Sequence, residues 1–265
     1  MLYTVNGLVI RSKNHGENDR LVTVLTAQGK ITAIAKGARS MRSKMLNLTQ
    51  PFVYGNFELT DKNGYTWMRG GSIDQMFYEL REDIEKLFLA TYVCDVAHEL
   101  SGENADCAEM LRLTSNTLFA LVKDLRPSEQ IKAVFELRAA AISGYRPDIT
   151  HCRDCGTQAS SDGYFDVMNG AVVCSECLQK RGRITPKNLS LKYDDVRESS
   201  VLIPLTPSSL AATRYAIVAP AEKVFSFILT GEELAIFSKV GEGYLLNHLG
   251  HGFDSLDLYY STKLS

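Results

Sequence analysis

Four of the six cysteines fall in two pairs, Cys152-x-x-Cys155 and Cys174-x-x-Cys177, with eighteen residues between the pairs. Two thiolates three residues apart on a tight turn grip an ion from one side, and the chain between the pairs loops back to deliver the other two. That is the spacing of a tetrahedral four-thiolate zinc site. Two disulfides would use the same residues, and compartment decides between the readings. Met1-Leu2-Tyr3-Thr4-Val5 opens a segment with no basic region, no long apolar run and no small-residue cleavage site. The expected location is therefore the cytoplasm, where thiols stay reduced. Four cysteines leave no coordination position for water, so one structural Zn2+ per chain is expected. Cys94 and Cys107 lie in helical patterns and read as small buried hydrophobes. His151, beside the first pair, is not needed to complete a tetrahedron.

With 265 residues and 45% hydrophobic composition the chain can build a sizeable core, split over more than one domain. No stretch approaches the length of a membrane-spanning apolar run. The net charge of -2 hides an asymmetry. Residues 1–50 carry Arg11, Lys13, Arg20, Lys30, Lys36, Arg39, Arg42 and Lys44 against Glu17 and Asp19, eight minus two or +6, leaving -8 for the rest. Such segregation is expected when one module meets a polyanion.

The first eighty residues are strand-like. Runs at 3–10, 20–26, 30–36, 52–60 and 65–69 are rich in β-branched and aromatic residues, and Asn63-Gly64 marks a tight hairpin. Five short strands with glycines at the bends fit a small barrel of the oligonucleotide-binding (OB) type, with an SH3-like barrel open on pattern alone. From about Ser72 the period becomes helical: one amphipathic helix over 74–101, broken once, then helices over 105–125 and 128–144. The acidic residues of the first read as its solvated face. After the cysteines, Thr206-Pro207 opens a helix toward Val218, and Thr230-Gly231-Glu232-Glu233 offers a capping box for another. The expected fold class is α+β: a five-stranded OB barrel, then a helical bundle carrying a four-cysteine zinc-knuckle insertion. The expected divisions are 1–72 for the DNA-binding barrel, 73–149 and 187–265 for the two parts of the helical domain, and 150–186 for the zinc insertion.

Lys36 to Lys44 sets four cations within nine residues, interspersed with Gly and Ser that let a phosphate chain approach the backbone. Tyr54, Phe57, Tyr65 and Trp67 lie on the fourth and fifth strands, where an exposed subset can stack on bases. Catalytic signatures are missing: no phosphate-binding G-x-x-x-x-G-K-[ST] loop, no G-x-S-x-G elbow, and no deaminase H-x-E with a later P-C-x-x-C. A binding protein is the expected class, not an enzyme.

The order of parts resembles the RecO family of bacterial recombination mediators. The resemblance rests on Gly7-Leu8-Val9-Ile10-Arg11, Gly16-Glu17-Asn18-Asp19-Arg20-Leu21-Val22-Thr23-Val24, Lys36-Gly37-Ala38-Arg39, Leu48-Thr49-Gln50-Pro51-Phe52, Phe135-Glu136-Leu137-Arg138, Gly144-Tyr145-Arg146-Pro147-Asp148, the Cys152 knuckle and Tyr244-Leu245-Leu246-Asn247-His248-Leu249. It covers essentially the whole chain. It implies an OB domain, a helical domain and a zinc-binding insertion that some members lack. It implies binding of single- and double-stranded DNA, strand annealing, and work with RecR and RecF to load RecA onto DNA coated by single-strand-binding protein, at the bacterial nucleoid. Carried over, Arg11, Arg20, Lys36, Arg39, Arg42 and Lys44 become the DNA contacts, with Lys13 counted among them. Ser40, Met41 and Ser43 dilute a stretch that is more basic elsewhere in the family, so a modest affinity is expected. Lys180, Arg181 and Arg183 form a secondary candidate. A groove on the helical half would suit the acidic, apolar C-terminal tail of single-strand-binding protein. The alternative is a zinc-ribbon protein-interaction or transcription-associated factor with no DNA affinity of its own.

Overall fold

The computed structural model describes residues 1–159, 163–180 and 202–263. Five strands close a barrel: β1 (Leu2–His15), β2 (Asp19–Thr26), β3 (Gly29–Ala35), β4 (Val53–Lys62) and β5 (Tyr65–Met76), in the order β1-β2-β3-β5-β4 with β4 returning to β1. β3 and β5 run parallel where Ile34 meets Trp67, while the other pairs are antiparallel. This closure, with a one-turn helix α1 (Met45–Leu48) between β3 and β4, is the OB arrangement and removes the SH3-like alternative.

Alternation sets the interior. Along β4, Val53, Gly55, Phe57 and Leu59 are buried while Tyr54, Asn56, Glu58 and Thr60 face outward. The inward set joins Val9, Val22, Val24, Ala33 and Met68, and Leu48 of α1 enters the same core. On β1, however, Leu8, Val9 and Ile10 are all buried, because a bulge falls at Ile10 and helices pack on the outer face.

Those helices are α2 (Ile84–Leu100) and α3 (Ala108–Val122), joined by the C-terminal α8 (Asp254–Thr262), which packs on α2. The helix expected from residue 74 starts ten residues later. β5 continues through Gly70-Gly71-Ser72 to Met76, and a 3-10 turn (Tyr78–Arg81) follows. Asp83 then caps α2, its carboxylate accepting from the amides of Glu85 and Lys86. Residue 72, expected as a domain boundary, lies inside β5. Gly29 fixes the β2–β3 turn to the α2–α3 loop: at φ +119° it abuts Asn104 and Gly102, a fit only glycine makes without strain. Asp95 of α2 accepts from Arg11 of β1 at 2.9 Å and from Ser255 of α8 at 2.9 Å. Residues 1–123 together with those from 254 onward thus form one compact unit.

Residues 124–253 form the other. It contains α4 (Ser128–Ile142), α6 (Pro207–Val218) and α7 (Gly231–Leu249), packed on one another, and a four-stranded sheet of order β6-β8-β7-β9. The sheet was not anticipated. Its strands are β6 (Asp148–Cys152), β7 (Gly163–Asp166), β8 (Ala171–Cys174) and β9 (Leu202–Pro204), the last beyond the expected insertion, and a short α5 (Ser175–Lys180) follows β8. α6 begins as expected, with reciprocal capping between Thr206 and Ser209. Thr230 precedes α7 but makes no side-chain cap bond. Between α4 and α7, fully buried Lys132 donates to Glu136 at 3.0 Å and to Glu242 at 2.6 Å.

Candidate metal centre and nucleic-acid interface

β6 and β8 are parallel neighbours, so the sheet brings Cys152 and Cys174 to one edge. From there each pair is completed locally. After Cys152 the chain turns back at Gly156, whose φ is +70° and whose amide donates to the Cys152 carbonyl at 2.9 Å, which leaves Cys155 on the turn. After Cys174 the chain enters α5, and its first turn returns Cys177. The four sulfurs lie within 4.8 Å of one another, and Cys155 Sγ stands 3.8 Å from Cys174 Sγ. A tetrahedron with metal–sulfur bonds of about 2.3 Å has edges of roughly 3.8 Å. A disulfide needs about 2.05 Å, and all four thiols are free. The four cysteines can therefore bind a metal ion.

Electrostatics point the same way. The Thr157 hydroxyl, then its amide, hold the Cys155 thiol down to about 6. Cys177 is pushed up to about 12, first by its hydrogen bond with Cys174 and then by burial. Neighbouring thiols cannot all ionise side by side unless a cation neutralises them. Arg214 of α6 braces the first pair, donating to the carbonyls of Ile149 at 3.0 Å and Ala159 at 3.1 Å. Nothing in its sequence position marked that role.

The basic residues gather at one end of the barrel for a topological reason. Arg20 pairs with Ala35 across β2 and β3, so the β1–β2 turn stands beside the loop that leaves β3. That loop, residues 36–44, is tied to the turn. Arg39 donates from its amide to the Asn18 carbonyl at 2.9 Å and from its guanidinium to the Glu17 carbonyl at 2.7 Å, while the Gly37 amide donates to the Asp19 carboxylate at 2.7 Å. Lys13, Lys36, Arg42 and Lys44 project into solvent, and among the described residues no carboxylate pairs with them.

Arg11 and Arg20 are placed differently. Arg11 is half-buried in its ion pair with Asp95. Arg20 donates to the Thr49 carbonyl at 3.4 Å, and burial, then the Arg39 charge, lower its pKa. Arg81 joins this end of the barrel, donating to Gln50 at 3.2 Å and to the Pro51 carbonyl at 3.0 Å. The sequence reading missed it, since Arg81 sits where a solvated helix was expected.

The aromatic candidates separate by strand parity. Phe57 is fully buried in the barrel and cannot stack on a base. The Tyr54 hydroxyl donates to Asn6, within a polar row that includes Asn56 and Asp74. Tyr65 and Trp67 lie on the outer face opposite buried Met68, and Tyr65 is 61% exposed. Lys180 is exposed at the end of α5, while Arg181 and Arg183 lie outside the described residues, as does the expected boundary at 186–187.

Comparison with known proteins divides the chain where the barrel ends. The family model for the N-terminal part of recombination protein O matches residues 1–77, and that for its C-terminal part matches residues 81–193. The DNA repair protein RecO of Acetivibrio thermocellus is 29% identical over 254 residues, 95% of this chain and 94% of its own. That of Alkaliphilus metalliredigens is 33% identical over 178 residues, covering 67% and 72%. That of Clostridium acetobutylicum is 23% identical over 263 residues, covering 99% and 98%. The two matches meet between β5 and α2, the first spans the OB barrel, and the alignment that covers 99% of this chain takes in the cysteine pairs and the last helix; the chain belongs to the RecO family of DNA repair proteins.

Proposed function

We propose that this protein is a recombination mediator that binds single- and double-stranded DNA through the loop end of its OB barrel, anneals complementary strands, and works with RecR and RecF to load RecA onto DNA coated by single-strand-binding protein. The observation that carries the reading is the group of exposed cations Lys13, Lys36, Arg42 and Lys44, unpaired with any described carboxylate, held at one end of the barrel by the Arg39 and Gly37 ties. Annealing is opposed by repulsion between two phosphate backbones. A basic loop that neutralises both strands lowers that barrier and releases their counterions. Tyr65 and Trp67, outward on β5, are the candidates for stacking on a splayed base.

The rest of the site serves structure. The four cysteines hold Zn2+, which fastens β6 and β8 together; it performs no reaction, because no coordination position is left for substrate. No step requires an acid, base or nucleophile, so the activity is binding and not catalysis. In the second unit a shallow cleft of about 380 Å³, lined by Leu125, Pro127 and Ile228 with Arg126 and Asp124 beside them, is the candidate for the acidic, apolar tail of single-strand-binding protein, Arg126 supplying the cation.

The test is an annealing assay with two complementary fluorophore-labelled oligonucleotides, followed by pull-down of RecR. The expected result is accelerated pairing that is suppressed as salt rises, together with retention of RecR. Retention of a protein partner with neither DNA binding nor annealing at any salt concentration would favour the zinc-ribbon interaction factor instead.

A further inference from the structure

Two of the arginines at the loop end differ from the exposed cations around them. Arg81 follows β5 and Arg20 opens β2, far apart in sequence, yet both direct their guanidinium groups at one three-residue segment: Arg20 at the carbonyl of Thr49, Arg81 at the side chain of Gln50 and the carbonyl of Pro51. All three acceptors are neutral. Among the described residues neither arginine forms an ion pair with a carboxylate. Arg20 Nε is buried and has no hydrogen-bond acceptor among the described residues. A buried donor of this kind is costly unless something accepts from it. Arg39 stands beside them, its guanidinium on the Gly16 and Glu17 carbonyls of the turn that leads into Arg20. The three charges also feel one another. After burial, Arg39 is the cause that lowers the Arg20 pKa; for Arg81 burial comes first, Tyr78 acts in the opposite sense, and Arg20 then lowers it. Like charges gathered without counter-charge favour an anion.

Depth separates these two arginines from the other cations. Arg20 and Arg81 are half-buried, whereas Lys13, Lys36, Arg39, Arg42 and Lys44 are exposed. Duplex DNA is stiff over about 150 base pairs and meets a surface at its protruding groups. A single strand is flexible enough to turn one phosphate inward. We infer that Arg20 and Arg81, with Arg39 at the mouth, form a recessed phosphate site that accepts single-stranded DNA and is closed to a duplex, the exposed loop cations serving both forms. The inference rests on the DNA-binding reading above and adds Arg81 to its contacts.

The experiment is a fluorescence-anisotropy titration of the full chain with a thymidine oligonucleotide and with a duplex of equal length, over a salt series, for wild type, Arg81→Gln and Arg81→Lys. Glutamine can still donate to the Pro51 carbonyl, and lysine keeps the charge. With Arg81→Gln, affinity for the single strand should fall about 5- to 10-fold, and its salt slope should become shallower by about 0.7, one phosphate's share, while duplex affinity stays within about twofold. Arg81→Lys should keep most of the single-strand affinity. Should Arg81→Gln fail to fold by circular dichroism, Arg20→Gln is read against the same expectations. Equal losses for both DNA forms, no loss for either, or Arg81→Lys as weak as Arg81→Gln would overturn the recessed site while leaving DNA binding intact. Wild type that binds neither form would overturn both.

Discussion

Lys132 and His98 illustrate how much a residue's surroundings alter what its letter says. Lys132 is fully buried between α4 and α7 with Glu136 and Glu242. Replacing it with Met leaves buried Glu136 without this cation. Lys132→Met is expected to lower stability by about 3–5 kcal/mol, measured by urea unfolding. His98, on α2, is pushed down to about 4, first by burial and then by the charges of Arg11 and Lys30, with Asp95 and Glu99 acting in the opposite sense. Its folded pKa lies below the ordinary 6.5, so between those values the unfolded chain binds more protons. The contribution of His98 to stability is therefore present above about pH 6.5 and is lost as pH falls toward 4. The urea midpoint of wild type should drop more between those pH values than that of His98→Gln; equal drops would contradict the assignment. Residues of this kind are illegible in sequence, where a lysine in a helix reads as solvated. The four cysteines were legible because metal coordination imposes a spacing that burial does not. The loop cations were legible too, but sequence did not reveal that Arg11 faces Asp95, that Arg39 ties one loop to another, or that Arg81 stands with Arg20.

At the scale of elements, local pattern identified the barrel strands and most helices, and failed where a strand contradicts its own composition. Gly70-Gly71-Ser72 reads as a breaker, yet β5 runs through it, because β4 supplies the hydrogen-bond partners and the register shifts absorb the irregularity. The sheet around the cysteines escaped notice for another reason. Its strands are three to five residues long, and two of its pairings join segments distant in sequence, which periodicity cannot reveal. A metal ion held by the four cysteines, as proposed, would cross-link these short strands at their edge. Removing the metal by chelation, or substituting Ser for Cys174, should abolish near-stoichiometric zinc binding and raise amide hydrogen exchange in β6 and β8, while exchange in β1–β5 stays unchanged. Unaltered exchange in β6 and β8 after chelation would show that the sheet holds without the metal.

Taken whole, the chain separates its charge: +6 over the first fifty residues against -8 over the remainder. The fold turns that sequence asymmetry into a surface by drawing the β1–β2 turn, the 36–44 loop and the 3-10 turn to one end of the barrel. Arg42 and Lys44 are the cleanest probes of it, since both are exposed and neither is paired with a described carboxylate. Replacing them should leave stability nearly unchanged. The decisive measurement is the salt dependence of single-strand affinity for wild type and for the Arg42→Ala, Lys44→Ala double variant. For about five contacted phosphates the wild-type slope of log K against log salt should be on the order of -3.5, and the double variant should lose about 1.4 of it. Affinity that is absent or insensitive to salt, or a double variant that matches wild type, would contradict a DNA interface at this end of the barrel.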